Sequence, residues 1–251
     1  MKCSFEDFEQ AKKILEGIQP DIIYHLSGEV TASTDIKLVQ PTFHSLVTST
    51  VNILSLATKF NCERVLLTGS CTEPVELESA AGSPYAAAKC ATRTYGKMFW
   101  QCYQTPVVIV RPFVGYGPGQ ASGKLIPYVI NSFFKKESPH LTSGKWSSDW
   151  IFIDDIIEGM ILSTVTPQIE GCTLDFGTGV LTTVKDVVLI IKEIIGYEVE
   201  PLFGTLADRD NEFVRLARVE ETFDKLKWEA KISLHEGLLK TVAHHKNVIT
   251  L

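Results

Sequence analysis

Short apolar runs rich in valine, isoleucine and leucine alternate along the chain with longer segments of helical periodicity, and no other feature narrows the possible folds as much. Four of the runs suit strands that are buried on both faces. They cover residues 21–26, 64–70, 106–112 and 172–179. The main predicted helices cover residues 5–18, 41–60 and 84–103. Strands and long helices that alternate in this way form a parallel sheet with helices on both faces, so the sequence predicts an α/β fold.

The segments that interrupt or follow this alternation predict a second, smaller lobe built from discontinuous pieces of the chain. Residues 145–163 suit a short strand and a helix capped by Asp154 and Asp155, and further helices follow residue 179. We assign to the sheet domain residues 1–112 and 154–180. We assign to the smaller α/β lobe residues 113–153 and 181–251.

Charge and composition narrow the classes of partner. The chain of 251 residues has a formal net charge of -6 and no block of lysine and arginine, which argues against a nucleic-acid or anionic-membrane partner. Its longest apolar runs are far too short to span a bilayer, and no signal peptide is evident. The six cysteines show neither C-x-x-C pairs nor zinc-ligand spacing with histidine. We therefore expect a cytoplasmic protein with reduced thiols and no metal site.

Tyr85 and Lys89 lie four positions apart in the predicted helix 84–103, and residues at that spacing share one helix face. A nearby ammonium stabilises a phenolate and lowers the tyrosine pKa from its ordinary value near ~10. Such a tyrosine can exchange a proton with a substrate hydroxyl or carbonyl near neutral pH. Ser70, at the end of the preceding predicted strand, is a candidate to hold the substrate oxygen. The Y-x-x-x-K spacing alone is weak, but its order between a strand that ends in serine and a strand that ends in R-P is more specific.

A family resemblance rests on stretches of this chain that follow one another in the family's order. They are PDIIYHLSG (20–28), RVLLTGSCTE (64–73), SPYAAAK (83–89), VRPFVGYGPGQ (110–120), DWIFIDDIIEGM (149–160), TLDFGTG (173–179) and LKWEAKISLHEGLLKTV (226–242). Over residues 5–244 the chain resembles the extended short-chain dehydrogenase/reductases, the NAD-dependent epimerase/dehydratase group that acts on nucleotide sugars. The resemblance implies a Rossmann-like parallel sheet with a smaller substrate-binding lobe.

The resemblance also implies a reaction and the residues that carry it. Tyr85 matches the catalytic acid/base, Lys89 the residue that holds the nicotinamide ribose, and Ser70 the group that hydrogen-bonds the reacting oxygen. The implied chemistry is hydride transfer at a sugar carbon with NAD or NADP, coupled to proton transfer through the tyrosine. The cofactor carries the hydride while the protein positions it.

The remaining implied site residues bind cofactor or substrate. The cofactor-binding residues are Ser27, Gly28, Lys89, Pro112 and Phe113. The substrate-binding residues are Ser70, Cys71, Thr72, Trp150 and Arg209. For Trp150 the sequence leaves packing and ring stacking equally open. The resemblance further implies a homodimer through helices 41–60 and 84–103, where small residues permit close packing, namely Ala87, Ala91 and Thr94.

Departures from the family pattern qualify this expectation. The strand–G-x-x-G-x-x-G–helix segment that cradles a pyrophosphate does not occur in the sequence, so we expect an N-terminally truncated Rossmann-like domain. Val114, Ser148 and Leu46 stand where the family often has asparagine, arginine and asparagine. Cys71-Thr72 replaces the Asp-Glu pair of the dehydratases, which favours an epimerase or 4-ketoreductase over a 4,6-dehydratase. The alternative is a non-catalytic or truncated member that cannot hold the dinucleotide and acts as a structural or oligomeric partner.

Overall fold

The computed structural model describes residues 4–31, 33–74, 79–209 and 213–249. The chain divides into two compact units, each defined by the contacts among its own residues. The first unit comprises Met1–Pro112, Gly159–Asp175 and Glu221–Lys227. The second unit comprises Phe113–Glu158, Phe176–Glu220 and Trp228–Leu251.

The strands within the described ranges are short and most are apolar. They are β1 (Ile22–His25), β2 (Arg64–Thr68), β3 (Val107–Pro112), β4 (Val114–Tyr116), β5 (Ser147–Phe152), β6 (Thr173–Phe176) and β7 (Leu181–Thr183).

The helices in these ranges lie before, between and after the strands. They are α1 (Phe8–Ile18), α2 (Val39–Thr42), α3 (Ser49–Lys59), α4 (Pro84–Tyr103), α5 (Leu125–Phe134), α6 (Ile153–Val165), α7 (Val184–Ile195), α8 (Val219–Leu226) and α9 (Leu234–Ile249). A π-helical segment, Phe43–Thr48, joins α2 to α3, so the predicted helix 41–60 carries a wider turn in its first half.

The first unit is built on a sheet with the strand order β1-β2-β3-β6. Strand β2 pairs in parallel with β1 and with β3. The prediction of an α/β fold with a parallel sheet of the Rossmann type is therefore confirmed. In parallel sheets the carboxyl ends of neighbouring strands meet at one edge, where ligands bind.

Strand β1 differs from the expectation that it is buried on both faces. The residues of β2 and β3 from Val65 to Leu67 and from Val107 to Val110 are almost completely buried. In β1, by contrast, Ile22 and Tyr24 are 36% and 42% exposed. Strand β1 lies at one end of the described sheet. The Tyr24 hydroxyl lies 2.7 Å from the Thr164 hydroxyl of α6, but the rings and aliphatic groups of Ile22 and Tyr24 stay partly exposed. Apolar runs predict burial from composition, but the burial that a strand achieves depends on its neighbours.

Helix α4 begins where the sequence predicts and packs closely on the sheet. The Ser83 hydroxyl oxygen accepts a hydrogen bond from the backbone N–H of Ala86, and Pro84 occupies the first turn, both common features of helix N-termini. Further along, a Cβ atom at Gly96 would lie 2.9 Å from Leu67 Cδ1. The absence of a side chain at Gly96 therefore allows the second half of the helix to lie against β2.

The second unit has its own small sheet and apolar core. Strand β5 pairs in parallel with β4 and antiparallel with β7. Helices α5, α7 and α9 supply much of the core, whose fully buried residues include Val129, Ile130, Val187, Ile191 and Leu238. The short strand β4 follows directly after Phe113 and pairs with β5 along its whole length.

The predicted capping role of Asp154 and Asp155 is wrong. Helix α6 begins at Ile153, so both carboxylates lie in its first turn, where negative charge is favourable. Asp155 is buried and accepts hydrogen bonds from the backbone N–H groups of Lys231 and Ile232, at 3.2 and 3.0 Å. This carboxylate therefore anchors a distant loop of the same unit.

Among the described residues, no helix is both long and apolar enough to cross a membrane.

Candidate active site

The candidate site lies in the first unit, where β1 and β2 end and α4 begins. Ser27 and Gly28 follow β1, Ser70 follows β2, and Tyr85 and Lys89 lie in the first two turns of α4. The fold thus brings together Ser70, Tyr85 and Lys89, the three residues that the sequence predicts as catalytic, at the edge of a parallel sheet where ligands commonly bind.

Tyr85 and Lys89 share a face of α4, as their spacing predicts. The Lys89 ammonium lies 5.8 Å from the centroid of the Tyr85 ring. Its nitrogen donates a hydrogen bond of 2.6 Å to the carbonyl oxygen of Thr68 and lies 3.3 Å from the Thr68 hydroxyl. Lys89 therefore joins the helix to the end of β2 and directs its charge towards the strand end.

Burial changes the acidity of both side chains. Removal from water lowers the pKa of Lys89 to about 8, although the negative charge of Glu73 opposes the change. Burial also raises the pKa of Tyr85, which the neighbouring Ser70 side chain opposes and the charges of Cys71 and Glu73 reinforce. The lowered Tyr85 pKa that the sequence predicts is wrong. The pKa is raised here because the phenolate loses more by leaving water than it gains from nearby groups.

A tight turn after β2 fixes the Ser70 hydroxyl. The Ser70 and Thr72 hydroxyl oxygens lie 2.8 Å apart, and the Thr72 backbone N–H donates to the Ser70 hydroxyl at 3.2 Å. Ser70 is buried, Cys71 is half-buried and Thr72 is exposed. The predicted substrate-binding residues Cys71 and Thr72 thus form the outer part of the turn that holds Ser70.

Glu73, at the end of this turn, is a buried residue of the site that the sequence did not identify. Its two carboxylate oxygens accept hydrogen bonds from the Ser70 backbone N–H at 2.7 Å and from the Arg93 Nε–H at 2.6 Å. Burial raises the pKa of Glu73, while these donors and the charge of Arg111 oppose the rise. A glutamate three residues after a serine, as in a capping box, was the available sequence signal.

His25, at the end of β1, is buried and hydrogen-bonded. Its Nε2 atom lies 3.0 Å from the Thr50 hydroxyl and 3.5 Å from the Ser49 hydroxyl, and its Nδ1 atom lies 3.4 Å from the Ser27 hydroxyl. Burial, together with the positive charge of Lys89, lowers the pKa of His25 to about 4. The neutral ring therefore links the end of β1 to α3 without adding a second positive charge beside Lys89.

A family model described as the NAD dependent epimerase/dehydratase family matches residues 1–170 of the chain. The chain belongs to this family. The match includes the whole region from β1 to β3, and with it the candidate site just described.

Individual members of the epimerase/dehydratase family are distant relatives of this chain. The UDP-glucuronate 4-epimerase of Thermodesulfobacterium geofontis is 24% identical over 98% of this chain and 78% of its own length. The structure of Thermotoga maritima UDP-glucose 4-epimerase with UDP-glucose superposes with a TM-score of 0.91 and 22% identity, covering 99% of this chain and 84% of that one. The structure of a Thermus thermophilus UDP-glucose 4-epimerase complex with NAD superposes with a TM-score of 0.86 at 19% sequence identity. The match covers 97% of this chain and 83% of that one. At these identities the structural likeness concerns the fold.

The family resemblance assigns Ser27, Gly28 and Pro112 to cofactor binding, and the structure places them in surroundings that differ from one another. Ser27 and Gly28 are exposed, and Gly28 has a φ of +142°. A Cβ atom at Gly28 would lie 2.1 Å from Leu46 Cδ2, so only glycine fits this loop against the π-helical segment. Pro112 ends β3 beside Arg111, whose guanidinium forms an ion pair with Asp175 at 2.6 Å.

Phe113, Trp150 and Arg209 belong to the second unit. Phe113 is buried, and its backbone N–H donates to the carbonyl oxygen of Phe176. Trp150 is also buried and donates its indole N–H to the Thr182 carbonyl oxygen at 2.9 Å, yet it lines a pocket of about 300 Å³ in this unit. Arg209 is exposed.

In the described ranges, no group of three or more histidine, cysteine, aspartate or glutamate side chains is placed to hold a metal ion.

The lowered pKa of His25 makes stability depend on pH. Its pKa of about 4 in the folded chain lies below the ordinary value of 6.5, so the unfolded chain binds more protons between these two values. The free energy of unfolding should therefore fall as the pH drops through this range, by up to about 3 kcal/mol from His25 alone. Urea unfolding curves between pH 7 and pH 4, roughly the titration range of histidine, measure this loss.

The variant His25→Gln removes the titrating ring and should flatten the dependence on pH in that range. The matched control is His44→Gln, at an exposed histidine of the π-helical segment. If wild type and His25→Gln lose the same free energy between neutral and acid pH, His25 is not the buried neutral base described here.

Proposed function

We propose that the chain is an NAD(P)-dependent nucleotide-sugar epimerase or 4-ketoreductase, with hydride transfer at a sugar carbon and Tyr85 as acid/base. The observation that carries the proposal is the cluster of Ser70, Tyr85 and Lys89, which lies where β2 ends and α4 begins. Membership of the epimerase/dehydratase family and the activities named for its relatives support the reaction class.

Ser70 and Tyr85 have separate roles in the proposed proton transfer. The Ser70 hydroxyl, held by the turn after β2, hydrogen-bonds the sugar oxygen at the reacting carbon. Tyr85 gives a proton to this oxygen when a ketone is reduced and takes it back when an alcohol is oxidised. The raised pKa of Tyr85 favours the phenol, which is the form that donates a proton when a ketone is reduced. Oxidation of an alcohol starts instead from the phenolate, which the positive charge of Lys89 stabilises.

Lys89 has the capacity to bind the nicotinamide ribose. An ammonium group carries three N–H donors, and Thr68 supplies the two acceptors close to Lys89 in the described part of the chain. A third bond is thus available to a ribose hydroxyl, and the exposed Ser27–Gly28 loop lies after the neighbouring strand. A bound NAD(P) supplies the hydride that the protein itself cannot provide.

Turnover by a Tyr85→Phe variant tests the assignment. The purified chain is incubated with NAD(H) or NADP(H) and with UDP-, dTDP- and CDP-sugars, and the products are separated by chromatography. We expect Tyr85→Phe to lose at least about a hundredfold in kcat, because it removes the acid/base. The matched control is Tyr95→Phe, since Tyr95 lies on the same helix and is exposed.

Equal turnover by wild type and Tyr85→Phe would overturn the role of Tyr85. Titration with NADH, followed by its fluorescence, separates the enzyme from a non-catalytic family member. A wild-type chain that neither binds NADH nor converts any sugar would favour the second alternative, a structural or oligomeric partner.

We further propose that the protein forms a homodimer through the helices at 41–60 and 84–103. The small residues Ala87 and Thr94 are exposed on α4, and Ala91 lies between them on the same helix face. Small side chains in such a stripe let two helices approach closely. The proposed dimer would place α4 and the segment from α2 to α3 of each chain in one interface.

Arginine on this stripe should separate the two chains. We expect the wild type to sediment as a dimer, and the double variant Ala87→Arg/Thr94→Arg to sediment as a monomer of 27.9 kDa, because bulky charges cannot be buried unpaired. Glu16→Arg, at an exposed position of α1, serves as the control. A variant that still sediments as a dimer would place the interface elsewhere.

A further inference from the structure

Glu73 is a buried carboxylate for which the proposed mechanism has no role. Its side chain is 0% exposed, and a buried charge is costly unless it is paired and hydrogen-bonded. A Cβ atom at Gly69 would lie 2.5 Å from Glu73 Oε1 and 2.8 Å from Arg111 Cγ. The glycine before Ser70 is therefore what leaves room for the carboxylate at this place.

The two oxygens of Glu73 have different partners. One accepts the hydrogen bond of the Ser70 backbone N–H, and the other accepts that of Arg93. The Glu73 backbone N–H in turn donates to the Ser70 carbonyl oxygen at 3.2 Å. These reciprocal bonds close the turn that carries the Ser70 hydroxyl, while the ion pair with Arg93 balances the charge.

We propose that Glu73 is a positioning residue, which holds the Ser70 hydroxyl in register with the Tyr85 phenol by fixing the Ser70 backbone N–H. Glu73 does not touch the reacting atoms itself and acts through Ser70. The kinetic consequence rests on the proposed function, since it requires Ser70 and Tyr85 to act in turnover. The structural consequence, the fixed position of Ser70, does not.

Arg93 gives Glu73 a competing explanation, because the carboxylate could serve only to balance a partly buried guanidinium. The two explanations separate when the charge of Arg93 is removed as well. If Glu73 only balances charge, it becomes dispensable without Arg93. If Glu73 positions Ser70, an acceptor for the Ser70 N–H is still required.

Two double variants make this comparison. Glu73→Gln/Arg93→Gln keeps a side-chain oxygen that can accept the Ser70 N–H, and Glu73→Leu/Arg93→Gln does not. Neither variant contains the charged pair, and glutamine and leucine are similar in volume. Both avoid the unpaired buried charge that a single substitution would leave, so both are expected to fold.

Turnover of a nucleotide sugar gives the first readout. We expect the glutamine variant to keep kcat within about threefold of wild type, and the leucine variant to lose between about tenfold and a hundredfold with little change in KM. Adding Ser70→Ala to each variant should abolish the difference between them, since Glu73 acts through Ser70. Equal kcat values for the two variants, or a difference that persists without Ser70, would overturn the proposal.

Amide hydrogen exchange gives a second readout that needs no turnover. The Thr72 N–H donates to the Ser70 hydroxyl, so its exchange rate reports whether this hydroxyl is in place. We expect faster exchange at Thr72 in the leucine variant and wild-type exchange in the glutamine variant. Equal protection in both variants contradicts the positioning role. If protection differs but wild type converts no sugar, the proposed function fails while the positioning of Ser70 stands.

Discussion

The hydrogen bond from the Lys89 ammonium to the Thr68 carbonyl oxygen, 2.6 Å long, ties the start of α4 to the end of β2. Because Lys89 is buried, water competes little for this bond. Tyr85 lies one turn earlier on the same face, so the bond also sets where the phenol lies relative to Ser70. The close packing of α4 at Gly96 holds the rest of the helix against the sheet.

Burial at this junction acts on several ionisable groups at once. It favours the neutral form of each, which raises the pKa of Tyr85 and Glu73 and lowers that of Lys89 and His25. Glu73 opposes the change at Lys89, and the neutral His25 adds no positive charge beside it. A protonated phenol and a cation in a poorly hydrated corner form an arrangement suited to donating a proton to a carbonyl oxygen.

Much of this arrangement could be predicted from the order of residues. Apolar runs and helical periodicity located β2, β3 and α4, and the four-residue spacing placed Tyr85 and Lys89 on one face. These are local patterns, which the fold preserves. The position of Ser70 after a strand followed from the same reasoning, because parallel strands present their ends at one edge.

The features that the sequence did not predict depend on contacts between distant segments. The exposed face of β1 reflects which elements lie beside it, and Asp155 binds backbone groups that are 76 and 77 residues away in the sequence. The direction of the Tyr85 pKa shift depends on a balance between desolvation and neighbouring charges that spacing alone does not contain. Glu73 had a sequence signal in its position three residues after Ser70, but that spacing does not show that its carboxylate is buried and paired with Arg93.

The most direct test of the account is the fate of the hydrogen on the sugar carbon. A nucleotide sugar deuterated at the carbon that the protein converts is mixed with stoichiometric protein and NAD(P)⁺, and the dinucleotide is recovered within the first turnover for mass spectrometry. The account predicts deuterium on the nicotinamide ring, because the proposed reaction is hydride transfer coupled to proton transfer. Conversion of the sugar with no deuterium in the dinucleotide would contradict it.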